Sequence, residues 1–238
     1  MIFTSKTLYT WPHENCQFSN TCCGRSRMTQ YAVDPARMAL VNVDMQIAFV
    51  EGTPLSAPDG PALLPVVNKL AEACRQAGIT VIHTCHVTRP DGSNLGTMGE
   101  LIDAVREGYI MDGSETAKLH PGLDVKDGDI VLEKPRYGAF SGTDLDNVLR
   151  ANGIDTIIVS GICTNICCET TTREAGMRDY HVFFMEDGTE TFPAGGLTVE
   201  EIKKAVHTTI GLAFANVIPV DEMIARIGAA SGKAAAAE

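Results

Sequence analysis

The chain alternates short, wholly apolar runs with longer segments whose apolar residues recur at helical spacing. From residue 38, MALVNVD is a continuous apolar run ending on an aspartate, as a strand buried on both faces does. PALLPVVNKLAEACRQAG (61–78) puts Leu63, Val66, Val67, Leu70 and Cys74 on one helix face, with Gly78 at the C-terminal cap. ITVIHTC (79–85) reads as a second strand. A polar stretch over 88–127 leads to DIVLEK (129–134), a third strand, and then to TDLDNVLRANG (143–153), a helix with Thr143 as N-cap and Gly153 as its stop. DTIIVSG (155–161) is the fourth strand, TNICCETTTREAGMRD (164–179) a helix and HVFFMED (181–187) the fifth strand. TVEEIKKAVHTTIGLAF (198–214) is a helix, NVIPV (216–220) a sixth strand and DEMIARIG (221–228) a last helix.

Strands that are apolar throughout and separated by helices predict a parallel sheet covered on both faces. The expected fold is a three-layer αβα domain over 35–227 with a mainly parallel, six-stranded sheet. Residues 1–34 lack sustained periodicity and read as an N-terminal arm that wraps a neighbour or covers a site, with Trp11 a candidate to reach a neighbouring subunit. Residues 228–238 (GAASGKAAAAE) are of low complexity and read as a flexible tail.

Composition removes several classes of function. With 45% hydrophobic and 21% charged residues in 238, the chain is neither disordered nor fibrous. No apolar run approaches the roughly 20 residues of a membrane helix, and the N-terminus lacks a secretory pattern, so no membrane partner and a cytoplasmic location are expected. A net charge of −11 repels phosphate backbones and argues against nucleic acid as a partner. The eight cysteines belong to a chain large enough to bury a core without disulfide staples. Cys16, Cys22 and Cys23 with His13 lack the paired C-x-x-C knuckle of a zinc site and read as ordinary thiols. Cys163, Cys167 and Cys168 crowd into six residues after a strand.

In open α/β sheets, ligands bind outside the carboxyl ends of the strands. Asp44 ends the first strand, His83 to His86 the second and Lys134 the third, while Gly161 to Cys167 follow the fourth. An aspartate, a lysine and a cysteine gathered there form a nucleophile triad in principle. Cys167 falls in the first turn of the expected helix, where the macrodipole favours a thiolate and backbone N–H groups suit an oxyanion. Residue types alone leave plainer readings open: a buried thiol acting as a small hydrophobe, Asp44 as a helix cap, Lys134 as a solvated strand end.

Three segments carry a resemblance. VNVDMQIAFVEG, LEKPRYGAFSGTDLDNVLRANGID and VSGICTNICCETTTREAG, the last with the pattern G-x-x-T-x-x-C, resemble in order the motifs of the isochorismatase-like cysteine hydrolases, over residues 38–190. The resemblance implies that Asp44 is the general base, Lys134 its support and Cys167 the nucleophile. It also implies a cis peptide between Ile162 and Cys163 that aims the Cys163 and Cys167 N–H groups at one oxygen. Cys168 stands where the family often has valine or isoleucine and reads as a core thiol.

The implied reaction is acyl transfer to Cys167 from an amide, with no metal and no organic cofactor. Nicotinamidases of this superfamily bind a metal through an aspartate and histidines after the second strand. In HTCHVTRPDGSN those places hold His86 and Thr88, which breaks the ligand set, and His83 and His86 point to opposite sides of an extended segment. KPRYGAF and RPDGSN look more like the metal-free branch, which includes ureidoacrylate, biuret and N-carbamoylsarcosine amidohydrolases. Arg89 or Arg136 would bind a substrate carboxylate, with surface ion pairing an equal alternative. Gln46 would orient the substrate amide, Phe49 and Tyr137 would wall the pocket, and Thr164 of the cysteine motif joins them as a substrate-binding candidate. The expectation is a homo-oligomer (dimer or tetramer) that hydrolyses a small linear amide, favouring a ureido or carbamoyl acid, and releases ammonia. Its rivals are a vinyl-ether-cleaving isochorismatase, a nicotinamidase, and a redox or binding protein using the same fold.

Overall fold

A computed structural model describes residues 30–235. The six apolar runs become strands β1 (Met38–Val43), β2 (Thr80–His86), β3 (Ile130–Lys134), β4 (Thr156–Ile162), β5 (His181–Glu190) and β6 (Asn216–Ile218). They form one sheet in the order β3-β2-β1-β4-β5-β6, and every neighbouring pair is parallel.

The helices are α1 (Ile47–Val50), α2 (Gly60–Gln76), α3 (Met98–Leu101), α4 (Asp103–Arg106), α5 (Leu145–Ala151), α6 (Glu169–Gly176), α7 (Val199–Ala213) and α8 (Val220–Ala235). The twofold alternation of strand side chains divides the core between two layers. Met38 and Leu40 of β1 and Phe183 and Met185 of β5 pack with Leu70 and Cys74 of α2 and Met223 and Ile227 of α8. Ala39, Val41 and Val43 of β1 and Val182 and Phe184 of β5 face the other way, onto Leu145 and Leu149 of α5, Ala175 of α6 and Val206 and Ile210 of α7. Strands buried on both faces cannot alternate polar with apolar residues, which is why they read as unbroken apolar runs.

Some boundaries differ from the expectation. The helix expected over 164–179 is divided: Thr164–Cys168 form a π turn, and regular α-helix begins only at Glu169. Pro219 ends the last strand two residues early, and Val220, expected in it, opens α8 instead. That helix continues to Ala235, its alanines and Lys233 offsetting Gly228 and Gly232, so residues 228–235 are helical and not a tail. Asp144, and not Thr143, holds the N-cap position of α5, although Thr143 Oγ accepts the Leu145 N–H at 3.2 Å. The four-residue helices α1, α3 and α4 are too short to register as periodicity. Trp11, His13, Cys16, Cys22 and Cys23 lie outside the described residues. Among the described residues, no helix is long and apolar enough to cross a membrane.

Gly161 sets how closely two strands meet at the carboxyl edge of the sheet. Its φ is +116°, and a Cβ there would stand 2.1 Å from the Val43 carbonyl oxygen. Only glycine lets the end of β4 press this closely on the end of β1.

Candidate active site

The chain leaves β1 for β2 on one side of the sheet and passes from β4 to β5 on the other, so the crevice opens between the carboxyl ends of β1 and β4. Asp44 follows β1 directly, in a left-handed conformation (φ +52°) that few residues other than glycine adopt. Its N–H donates to the Thr84 carbonyl at 3.1 Å, and the Thr84 hydroxyl donates back to Asp44 Oδ1 at 2.7 Å. β2 therefore fixes both the backbone and the carboxylate of Asp44.

Lys134, the last residue of β3, reaches across β2 to place Nζ 2.7 Å from Asp44 Oδ2, with both side chains fully buried. The same ammonium donates at 2.9 Å to each of the Arg136 and Tyr137 carbonyls. Three oxygen contacts saturate the buried cation, which is the condition for keeping it charged. Burial opposes the ammonium, but Asp44 and Cys167 outweigh it and hold the Lys134 pKa above the ordinary lysine value. Burial likewise raises the Asp44 pKa, against the pull of Lys134 and Thr84, so this carboxylate is a better base than a solvated one.

Cys167 comes from the other side of the crevice. The Ile162–Cys163 peptide is cis, and the π turn that follows brings Cys167 Sγ within 4.8 Å of an Asp44 carboxylate oxygen. Burial, opposed by Lys134 and reinforced by Asp44, pushes the Cys167 thiol well above its ordinary pKa. This corrects the expectation of a thiolate held by a helix dipole. The cysteine sits in a π turn before α6, in a dry setting beside a carboxylate, and its resting form is the thiol. Cys168 Sγ lies in the core and faces the Ser160 carbonyl, as expected for a packing thiol.

The remaining candidates divide into those near this set and those turned elsewhere. Phe49 stacks at 6.5 Å on the ring of His86, and Tyr137 meets that ring edge-on at 5.7 Å. Thr164 is buried, with its hydroxyl donating to Thr189 at 3.0 Å. Gln46 is engaged by backbone: Oε1 accepts the His86 N–H at 2.7 Å, and Nε2 donates to the Ala117 carbonyl at 2.6 Å and to the His86 carbonyl at 3.2 Å. It clamps the end of β2, and both of its amide donors are spent there, which leaves one lone pair on Oε1. Arg136 is exposed and spends one guanidinium nitrogen on the Asn94 and Pro135 carbonyls. Arg89 is exposed beside Asp91. A cavity of about 410 Å³ lies against the Lys134 end of β3, lined by Arg89, Asn94, Asp112 and Glu133 among others. Its lining carries two acidic and two basic residues, Asp112 and Glu133 with Arg89 and Lys134.

His83 does not join the crevice. Its ring lies between Asn42 and Asp129, on the opposite side of β2 from His86. Donor atoms of Asp44, His86 and Cys167 lie within 4.8 Å of one another, the spacing of a potential three-residue metal site. The Lys134 ammonium already occupies the Asp44 carboxylate, and the cysteine is protonated, so the set fits a cation poorly. Thr84 and His86 are the site residues that the sequence pattern leaves unassigned, because within an apolar strand neither differs in spacing from a core position.

A parallel sheet with a buried cysteine, aspartate and lysine at its switch point is a framework suited to a hydrolase. Comparison with known proteins agrees. An isochorismatase domain is matched over residues 38–222, and the chain belongs to the isochorismatase family of hydrolases. It is 32% identical over 187 residues to nicotinamidase 3 of Arabidopsis thaliana, covering 78% of this chain and 86% of that one. It is 33% identical over 183 residues to a ureidoacrylate amidohydrolase of Methylorubrum extorquens, covering 69% of this chain and 74% of that one. The solved structure of a cysteine hydrolase from Pseudomonas syringae pv. phaseolicola 1448A is similar at a TM-score of 0.81 and 34% identity, over 84% of this chain and 97% of that one.

Proposed function

We propose that the protein is a cysteine amidohydrolase acting on a small linear amide, with a ureido or carbamoyl acid the favoured substrate. The observation that carries this reading is the buried set in which Cys167 Sγ stands within 4.8 Å of an Asp44 carboxylate oxygen and Asp44 pairs with Lys134 at 2.7 Å. Asp44 takes the thiol proton as Sγ attacks the amide carbonyl. Lys134 stabilises the carboxylate before that transfer and the negative charge that follows it. The N–H groups of Cys163 and Cys167, in the turn after β4, serve as the oxyanion hole in this reading. The carbon–nitrogen bond breaks as Asp44 returns the proton to the leaving ammonia. Water, deprotonated by the same carboxylate, then hydrolyses the thioester and frees the thiol.

Amide chemistry is favoured over vinyl-ether cleavage because an intact nucleophile faces an intact base, and the names of two similar proteins, a nicotinamidase and a ureidoacrylate amidohydrolase, point the same way. None of these steps draws on a metal or an organic cofactor. Phe49, Tyr137 and Thr164 border the substrate, and Arg89 and Arg136 stand at its outer end, where one of them meets a carboxylate after turning from its present carbonyl or aspartate partner. The working form is a cytoplasmic dimer or tetramer, which light scattering checks.

The test is ammonia release by metal-stripped protein from ureidoacrylate, biuret, N-carbamoyl amino acids, maleamate and nicotinamide, with Cys167→Ala as the blank. Release that falls at least about 10³-fold in the variant supports the reading. Equal release by both proteins, or none from any amide, overturns it.

A further inference from the structure

His86 is buried to 2% exposure, and its Nε2 makes no hydrogen bond to any described residue. A polar atom sealed away from water without a partner is costly, and such atoms in a crevice usually await a ligand. The ring is held firmly: Phe49 lies along one face, Tyr137 abuts it edge-on, and Gln46 clamps the backbone N–H and carbonyl of the same residue. One ring nitrogen stands within 4.8 Å of both an Asp44 carboxylate oxygen and Cys167 Sγ.

The charge of the ring is constrained by its neighbours. Burial, together with Lys134 and Arg136, pushes the His86 pKa well below the ordinary histidine value, so the ring is neutral and carries a single N–H. The nearby Pro135 carbonyl works only weakly against that shift. A neutral imidazole keeps one nitrogen that offers only a lone pair, and what that nitrogen binds must be a donor.

The tetrahedral intermediate of the proposed reaction has four atoms around the former carbonyl carbon. Sulfur belongs to Cys167, the oxyanion to the backbone N–H groups, and the departing nitrogen to Asp44, which returns its proton. One substituent remains, the atom that joins the carbonyl to the rest of the substrate, and the His86 ring, within 4.8 Å of Asp44 and Cys167, stands close enough to receive it. From this geometry we infer that His86 is a specificity-determining residue whose lone pair accepts an N–H on that substituent, so that the preferred substrates are secondary ureido compounds, R–NH–CO–NH₂, rather than carbon amides or N-alkylated ureas.

The inference rests on the amidohydrolase reading and narrows it. The acyl-enzyme is then R–NH–CO–S–Cys167, formed with loss of ammonia, and water releases it as the carbamic acid R–NH–COOH. The N–H is kept throughout, so the histidine holds the substrate in the ground state, the intermediate and the acyl-enzyme alike.

Three compounds separate the possibilities. N-carbamoylglycine carries the N–H, succinamate has a CH₂ in its place, and N-carbamoylsarcosine has N–CH₃. Ammonia release gives kcat/KM for each with wild type, His86→Phe, which keeps an aromatic ring but no acceptor, and His86→Asn, which restores one. Wild type is expected to favour N-carbamoylglycine over N-carbamoylsarcosine by about 10- to 100-fold. In His86→Phe the ratio of N-carbamoylglycine to succinamate falls by a similar factor, through loss on the N–H compound alone, and His86→Asn recovers part of it. A general structural fault lowers all three compounds together and leaves the ratios unchanged, which overturns the inference. Equal rates on N-carbamoylglycine and N-carbamoylsarcosine by wild type overturn it without any variant. If His86→Phe does not fold, that comparison and His86→Asn decide. Cysteine-dependent release in which only these ratios fail defeats the histidine role and leaves the hydrolase reading standing. No cysteine-dependent release from any amide defeats both.

Discussion

The molecule buries two aspartates beside cations on opposite sides of β2, and they are held differently. Asp129 lies just before β3, its side chain 4% exposed. It accepts from Arg75 Nε at 3.1 Å and Nη2 at 2.7 Å, from the Lys126 N–H at 2.9 Å, and pairs with His83 Nε2 at 3.1 Å. Burial alone would raise its pKa, but these partners more than offset that and bring it down to about 2. Asp44 is fully buried with one ammonium and one hydroxyl as fixed partners, and there burial wins and the pKa rises. The lesson is one of saturation. Four donors make a carboxylate inert and structural, whereas two leave it with a lone pair to spend on the Cys167 proton.

The largest effect should come from exchanging each acid for its amide. Asp44→Asn is expected to lower kcat/KM on the amide substrate by about 10³-fold. Asp129→Asn is expected to leave kcat/KM within about 3-fold but to destabilise the fold by about 3 kcal/mol, since Arg75 loses its main partner. Steady-state kinetics paired with urea denaturation measures both, and a large catalytic loss from the Asp129 variant would erase the distinction.

The next effect is in acid. The unfolded chain protonates Asp129 near the ordinary aspartate value of 3.8, whereas the folded chain waits until about 2. The stability it contributes is therefore complete above about pH 4 and is lost as pH falls toward 2. Denaturation midpoints across this window should decline in the wild type and decline less in Asp129→Asn. Parallel curves would show that other carboxylates dominate acid unfolding.

The smallest effect tests the other aspartate. The Thr84 hydroxyl lowers the Asp44 pKa, so Thr84→Val should raise it and move the acid limb of the kcat/KM profile to higher pH, with the rate at the optimum reduced only a few-fold. An unmoved limb would mean that Asp44 does not set that side of the profile.

Much of this was legible in the residues themselves. Apolar runs marked all six strands because a doubly covered parallel sheet has no wet face to require polar residues. Asp44, Lys134 and Cys167 stood out because each is a chemical group at or just past the end of such a run, where the crevice of this architecture opens. The length of α8 and the π turn around Cys167 were not legible: a run of alanines is ambiguous until packing decides it, and a π turn leaves no spacing signature of its own.

What the sequence by itself determined is the set of elements, their parallel arrangement and the reactive residue types, since these follow from local periodicity and chain order. Only the tertiary structure decided which polar groups are already satisfied. Gln46 looked like a substrate ligand until two backbone carbonyls were seen to take both of its amide donors and an N–H to bind its oxygen. His86 looked like a failed metal ligand until its ring proved to be sealed in with an unpartnered nitrogen beside the nucleophile. Hydrogen-bond saturation and desolvation depend on atoms that lie tens of residues apart in the chain, and these alone determine whether a buried side chain holds the fold together or waits for a ligand.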